Sequence, residues 1–206
     1  LSSMNLSDLK RNAYMLRGSD AKRGYMRWWH SFQGVCPTTQ ETRTFFVEYS
    51  ILNPALGTTQ PILGQHPYYK RHGMKPSYVC VFPKNGDGGL QLQSYYPMTS
   101  LQVAQDPFYM QIEECVLSEN RISGAIEISE DTARHRSLMT DAGSFVWDLE
   151  MHKAVACHTG YIANAFFTVI HALESFWHGE GIRTFFRGTV NLNGVTYDIT
   201  PETSYG

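Results

Sequence analysis

Arg183-Thr-Phe-Phe-Arg-Gly-Thr-Val-Asn-Leu-Asn-Gly-Val-Thr-Tyr-Asp-Ile199 decides the fold. Asn193-Gly194 separates two runs of β-branched and aromatic residues, and both central residues of a two-residue hairpin turn need positive φ, which Asn and Gly accept. Such a turn sets the register, so Val190 is expected opposite Tyr197. Immediately upstream, Glu174-Ser-Phe-Trp-His-Gly-Glu-Gly181 crowds two glycines, two carboxylates, a Trp and a His together. That composition suits a rim or mouth better than a core strand.

Outward from the hairpin, alternation dominates. Ser144 to His158 is the longest run: Phe145, Trp147, Leu149, Met151, Lys153, Val155 and Cys157 share one phase, and Val146, Asp148, Glu150, His152, Ala154, Ala156 and His158 the other. A helix would mix the two sets, whereas a strand keeps them on opposite faces. Residues 42–52 place Phe45, Val47, Tyr49 and Ile51 against Glu48 and Ser50, and Asn53-Pro54 ends that strand. Gly24-Tyr-Met-Arg-Trp-Trp-His-Ser-Phe-Gln-Gly34 reads as a strand covered at least in part on both faces. Further strands are expected at 78–82, 90–96, 108–116 and 121–129, the last pair joined by Leu117-Ser-Glu-Asn120. Residues 8–16 suit one short helix behind a Ser7 cap, and 53–75 form a long connection. The expected fold is all-β: an antiparallel calycin or lipocalin-like barrel, or a large β-sandwich, with little helix.

Composition narrows the function. Charged residues are 17% of the chain, below the roughly 25% usual in soluble proteins, while aromatics reach 13%. Aromatic surface must therefore be hidden in a core, line a pocket or be covered by protein. The net charge is -2 and there is no basic stripe, which disfavours nucleic acid. Cys36, Cys80, Cys115 and Cys157 form no Cys-x-x-Cys pair, so buried free thiols are the simplest expectation, with one or two disulfides as the alternative. The histidines show no zinc spacing, and no metal or other cofactor is expected. No apolar run is long enough for a transmembrane helix, and the opening residues lack the order of a secretory signal, which points to the cytoplasm.

Gly24-Tyr-x-x-Trp-Trp-His, Glu48-Tyr-Ser-Ile-Leu-Asn-Pro54, Glu174-Ser-Phe-Trp-His-Gly-Glu-Gly and Phe186-Arg-Gly-Thr-Val-Asn-Leu-Asn-Gly-x-x-Tyr-x-x-x-Pro201-Glu-x-Ser-Tyr-Gly206 resemble the tocopherol cyclase-like proteins. These are related in fold to carotenoid hydratases and lipocalin-like pericyclases. The resemblance is specific in the final stretch and looser elsewhere. It implies a calycin-like β domain over residues 1–206, a second β domain beyond residue 206, and an apolar cavity for an isoprenoid or another prenylated substrate. It also raises the expectation that a partner chain or that second half covers the edge formed by residues 197–206.

A cofactor-free cyclase or isomerase of this kind delivers a proton to a double bond and shelters the resulting cation among aromatic faces. Trp28, Trp29, Phe45, Tyr49, Trp147 and Trp177 are the candidate wall, although each taken singly reads more simply as a core aromatic. Glu180, His178 and Glu202 are the candidate proton-handling groups, because a carboxyl in an apolar cavity has its pKa raised toward neutrality. Their plainer readings are a turn carboxylate, a structural imidazole and a hydrogen-bond partner for loop amides. Three functions fit these residues: a cyclase or isomerase acting on a hydrophobic small molecule, a lipocalin-like carrier of such a molecule, and a structural or assembly domain.

Overall fold

The computed structural model describes residues 13–86, 88–157 and 179–204. Eleven strands form one antiparallel sheet in the order β4-β3-β2-β1-β11-β10-β9-β8-β7-β6-β5. They are β1 (Tyr25–Val35), β2 (Thr42–Leu52), β3 (Tyr78–Asn85), β4 (Ser94–Tyr96), β5 (Leu101–Gln105), β6 (Phe108–Ile112), β7 (Cys115–Ser118), β8 (Arg121–Ile128), β9 (Gly143–Cys157), β10 (Gly179–Leu192) and β11 (Val195–Ile199). Helix is confined to short pieces, α1 (Asp20–Arg23), α2 (Pro67–Arg71), α3 (Glu130–Ala133) and three 3-10 turns. The sheet curls into a half-barrel of the all-β, calycin-like kind.

Strand order locates the open seam of the curl. The order is a meander in which the last strand, β11, pairs with the first, β1, so the first and last strands meet in the middle of the sheet. The sheet's outermost strands, β4 and β5, are separated by only residues 97–100. In a closed antiparallel cylinder, neighbouring directions must alternate all the way round, which requires an even number of strands. With eleven, β4 and β5 point the same way, and the seam lies between them.

Alternation sorts side chains to the two faces as the sequence requires. On β2, Phe45, Val47, Tyr49 and Ile51 are each 0% exposed. On β9, Phe145, Trp147, Leu149 and Met151 are buried while Val146, Asp148, Glu150 and His152 face out. The β10–β11 turn has Asn193 and Gly194 at φ 50 and 87, and Val190 pairs with Tyr197 as expected. Gly124 leaves room for Trp147, since a Cβ there would lie 2.6 Å from the indole.

Several expectations need correction. The single strand expected over 108–116 is two strands, β6 and β7, reversed at Glu113 and Glu114, where Glu113 takes φ 51. The pair of carboxylates at that turn was the overlooked signal. β5 was also missed, because Leu-Gln-Val-Ala-Gln has two apolar phases but no flanking strand formers. The long connection contains α2, started by Pro67 behind a His66 cap whose ring accepts from the Tyr68 amide. The helix expected over 8–16 falls mostly outside the described residues. Its described part, 13–16, is not helical; there Leu16 is buried in the core.

The final turn is held by its own chain. Tyr197 and Ile199 are 2% and 1% exposed, and Ser204, 0% exposed, accepts a hydrogen bond from the Gln33 amide at 3.2 Å. That contact continues the join to β1 where β11 has ended. Over 197–204, therefore, the side chains of Tyr197 and Ile199 are covered from within by the described residues.

Gly188 supplies a test of the β9–β10 pairing. It sits at φ 149, and a Cβ would lie 2.0 Å from the Asp148 carbonyl oxygen, a backbone atom that cannot swing aside. Gly188→Ala is expected to lower unfolding free energy by roughly 3 kcal/mol, measured by urea denaturation. An unchanged midpoint would contradict this register.

Candidate functional site

The concave face is built from aromatic rings contributed by strands far apart in the sheet. Trp28 of β1 stacks on Phe108 of β6 with centroids 5.8 Å apart. Phe45 of β2 meets Phe145 of β9 edge-on at 5.7 Å and Tyr197 of β11 at 5.1 Å, while Phe32 of β1 lies 5.3 Å from Phe186 of β10. Such offset and edge-on contacts suit the ring quadrupoles. Tyr49 crosses the interior: its hydroxyl donates to the Val116 carbonyl of β7 at 2.8 Å and accepts from the Trp147 indole at 3.2 Å. Burial pushes the Tyr49 phenol well above its ordinary pKa, so it stays protonated and remains a donor.

The expected wall is thus partly assembled and partly not. Trp28, Phe45, Tyr49 and Trp147 do face the interior. Other core side chains fill the space in front of them, however: Phe108 stacks on Trp28, Phe145 and Tyr197 meet Phe45, and Tyr49 and Trp147 bond to each other, with Phe45 and Tyr49 0% exposed and Trp147 1%. Trp29, the next residue after an inward Trp, must point outward; it is 59% exposed and stacks on Phe46 on the convex face. The expectation that both Trp28 and Trp29 line one wall fails on this alternation. Trp177 and His178 lie outside the described residues. Glu180 falls at the start of β10, and its side chain is likewise outside them.

Glu202 is placed on the exposed turn after β11. Its carboxyl is held below the usual range by hydrogen bonds from its own backbone amide and from the Thr200 hydroxyl. A solvent-facing carboxylate stabilised in its ionised form does not fit the donor that protonates an apolar substrate at neutral pH.

One polar group escaped sequence reasoning. Lys153 occupies the inward phase of β9, its side chain is 5% exposed, and Nζ lies 3.4 Å from Glu119 Oε2 at the β7–β8 turn. Thr184, also buried, is its cross-strand partner on β10. A lysine in the buried phase of a long strand was the available signal. This group stands where β9 and β10 run past the part of the sheet flanked by β8 and β11: β8 pairs with β9 only from Gly143 to Glu150, and β11 with β10 only from Gly188 to Leu192.

The other end is crossed by the segment 129–142, which bridges β8 to β9. It is pinned to the connection after β3 by Gln91 N to Asp141 Oδ2, Gln93 N to Thr140 Oγ1 and Gln93 Nε2 to the Met139 carbonyl, all 2.9 Å. A hollow of about 320 Å³ beside it is lined by Gln91, Ala133, Arg136, Met139, Thr140 and Asp141. Its polar lining sets it apart from the aromatic interior.

Cys36, Cys80 and Cys115 are free thiols. Burial pushes Cys115 up to about 12, so it is neutral and unreactive at physiological pH. Among the described residues no three His, Cys, Asp or Glu side chains gather as a metal site, and no helix is long and apolar enough to cross a membrane.

Tyr49→Phe is expected to cost about 1–3 kcal/mol, because it leaves the Val116 carbonyl and the Trp147 indole N–H buried without that partner. Urea unfolding measures the loss. A neutral substitution would mean that the hydroxyl does not tie the two sides of the curl.

No protein family, curated protein or solved structure matches the chain. What the structure carries of the resemblance to tocopherol cyclase-like proteins is the general one, an antiparallel sheet curling in the calycin manner.

Proposed function

We propose that this protein handles a hydrophobic small molecule with one polar end, bound at the end of the curl where β9 and β10 extend past their neighbours. The observation that carries the reading is the juxtaposition there of buried aromatic and apolar side chains, Phe186 and Met151, with the inward Lys153–Glu119 pair and Thr184. Ligand sites are mostly apolar with a few convergent polar groups, and this end supplies both. The middle of the curl is packed solid and serves as the scaffold. A prenylated ring fits the pattern: the isoprenoid tail against the rings, a hydroxyl toward Lys153 and Glu119.

Such handling takes two forms. In the first, suggested by the resemblance, the protein is a cofactor-free cyclase or isomerase in which an acid protonates the isoprenoid; Glu180 and His178 are its candidate donors. In the second it is a carrier, which needs the cavity and no acid. The carrier reading draws support from Glu119, the carboxylate described at this end, whose Oε2 lies 3.4 Å from the Lys153 ammonium: such a pair can hold a ligand's polar end without any acid chemistry.

Titration with a prenylated quinol, followed by tryptophan fluorescence and by chromatography of the products, tests both forms. Saturable quenching is expected, and Lys153→Met should weaken it about tenfold, the equivalent of one charge-assisted hydrogen bond. Product formation that Glu180→Gln abolishes while binding persists would establish the enzyme; binding without product would establish the carrier. No saturable binding would overturn the reading as a whole.

A further inference from the structure

The connection between β2 and β3 concentrates one sign of charge. Between Glu48 and Asp87 the sequence has no carboxylate, while Lys70, Arg71 and Lys75 fall close together in one loop. In a chain of net charge -2 this is a local reversal of sign. The base of the loop is fixed by the antiparallel bridge of Ile62 with Ser77 and by Gln65 Nε2, which donates to the Ser137 carbonyl at 2.8 Å. Its tip is shaped by α2, which ends where Gly73 takes φ 61 and the Met74 amide reaches back to the Tyr69 carbonyl at 3.0 Å. From Lys70 to Lys75 every residue is exposed. Among the described residues none of the three cations enters an ion pair. Tyr68 and Met74, 56% and 37% exposed, stand among them. The Tyr68 ring is held in place by the His72 ring, 4.3 Å away and one turn further along.

We propose that this loop tip docks on an anionic lipid surface, with Lys70, Arg71 and Lys75 against the phosphates and Tyr68 and Met74 at the headgroup boundary. Charge complementarity supplies the attraction. Each cation beside an anionic leaflet contributes about fivefold in affinity and acts only within a Debye length of about 10 Å, so the loop's own charge counts and not the net charge of the chain. The neighbouring segment 129–142 sets Arg134 and Arg136 against Glu130, Asp131 and Asp141, so the excess of positive charge belongs to the loop. Tyrosine suits the membrane interface, its ring in the apolar margin and its hydroxyl among headgroups, and lysine and arginine lay their stems along apolar surface while the charge stays in water. A bilayer needs no matching contour, whereas a protein partner requires an area that one exposed helical turn does not offer. The inference is independent of what the curl binds.

Cosedimentation of the full chain with lipid vesicles tests it. Vesicles of phosphatidylcholine with about one-third phosphatidylserine should bind the chain at low salt and release it toward about 0.5 M salt, and vesicles of phosphatidylcholine alone should not bind it. The triple variant Lys70→Gln, Arg71→Gln, Lys75→Gln should weaken binding about a hundredfold. Arg121→Gln, Arg183→Gln, Arg187→Gln removes the same charge from exposed positions on β8 and β10 and should leave binding within about threefold. Tyr68→Ala should weaken binding several-fold and leave its salt dependence in place. Circular dichroism verifies that each variant is folded. Equal binding to both kinds of vesicle, an equal loss in the two triple variants, or a Tyr68→Ala protein that binds like the unsubstituted chain would overturn the proposal. So would a chain that binds neither kind of vesicle; its retention on an immobilised acidic polypeptide would then assign the loop to a protein partner instead.

Discussion

The hydroxyl of Tyr49 holds together two parts of the sheet that the ladder itself leaves far apart. In strand order β2 and β7 are separated by β1, β11, β10, β9 and β8, yet one side chain reaches from the first to a backbone carbonyl of the second. A twisted antiparallel sheet curls by itself, but the degree of curl is set by what fills its concave side. Here the filling is aromatic, and rings of this size bring opposing strands into contact without leaving a lumen. Around the Tyr49–Trp147 pair, Phe45, Phe145 and Tyr197 pack edge to face, and Phe32 lies tilted against Phe45 and Phe186. The fixed phenol and indole also satisfy each other in a region where an unpaired polar atom would be costly.

From that packing follows a division of labour along the barrel axis. The centre is closely packed, and the end proposed for binding is the one where β9 and β10 outrun the neighbours that pair with their inner halves. The buried lysine in that overrun is informative because its stem can lie along apolar surface while its ammonium requires a partner; Glu119 provides one from a different turn. At the opposite end, the segment after β8 is fastened by amide and hydroxyl hydrogen bonds rather than by rings. The two ends therefore differ in kind: one apolar with a partly buried ion pair, the other polar and shallow.

Much of this was legible in the residues. Phase along β2 and β9 identified inward side chains one by one, because a period of two cannot be satisfied by any other regular structure, and Asn193-Gly194 located a register correct to the residue. What escaped had physical causes. Trp28 and Trp29 look alike in a list of aromatics, and only the pleat separates a core ring from an exposed one. Glu113 and Glu114 make a turn without the glycine or proline that usually marks it. Lys153 was visible in the buried phase, but nothing local announces Glu119, which arrives from 34 residues away in the chain. The candidate acids Glu180 and His178 lie in a stretch whose chemistry depends on tertiary neighbours and not on spacing.

The claim on which the account rests is that β2 and β7 meet across the concave side through Tyr49 and Trp147. Nuclear magnetic resonance measures it directly. The account predicts a Trp147 indole proton that exchanges slowly with solvent and shows Overhauser contacts to the Tyr49 ring, together with contacts from that ring to protons of Val116. A rapidly exchanging indole with no contact to Tyr49, in a folded protein, would contradict it.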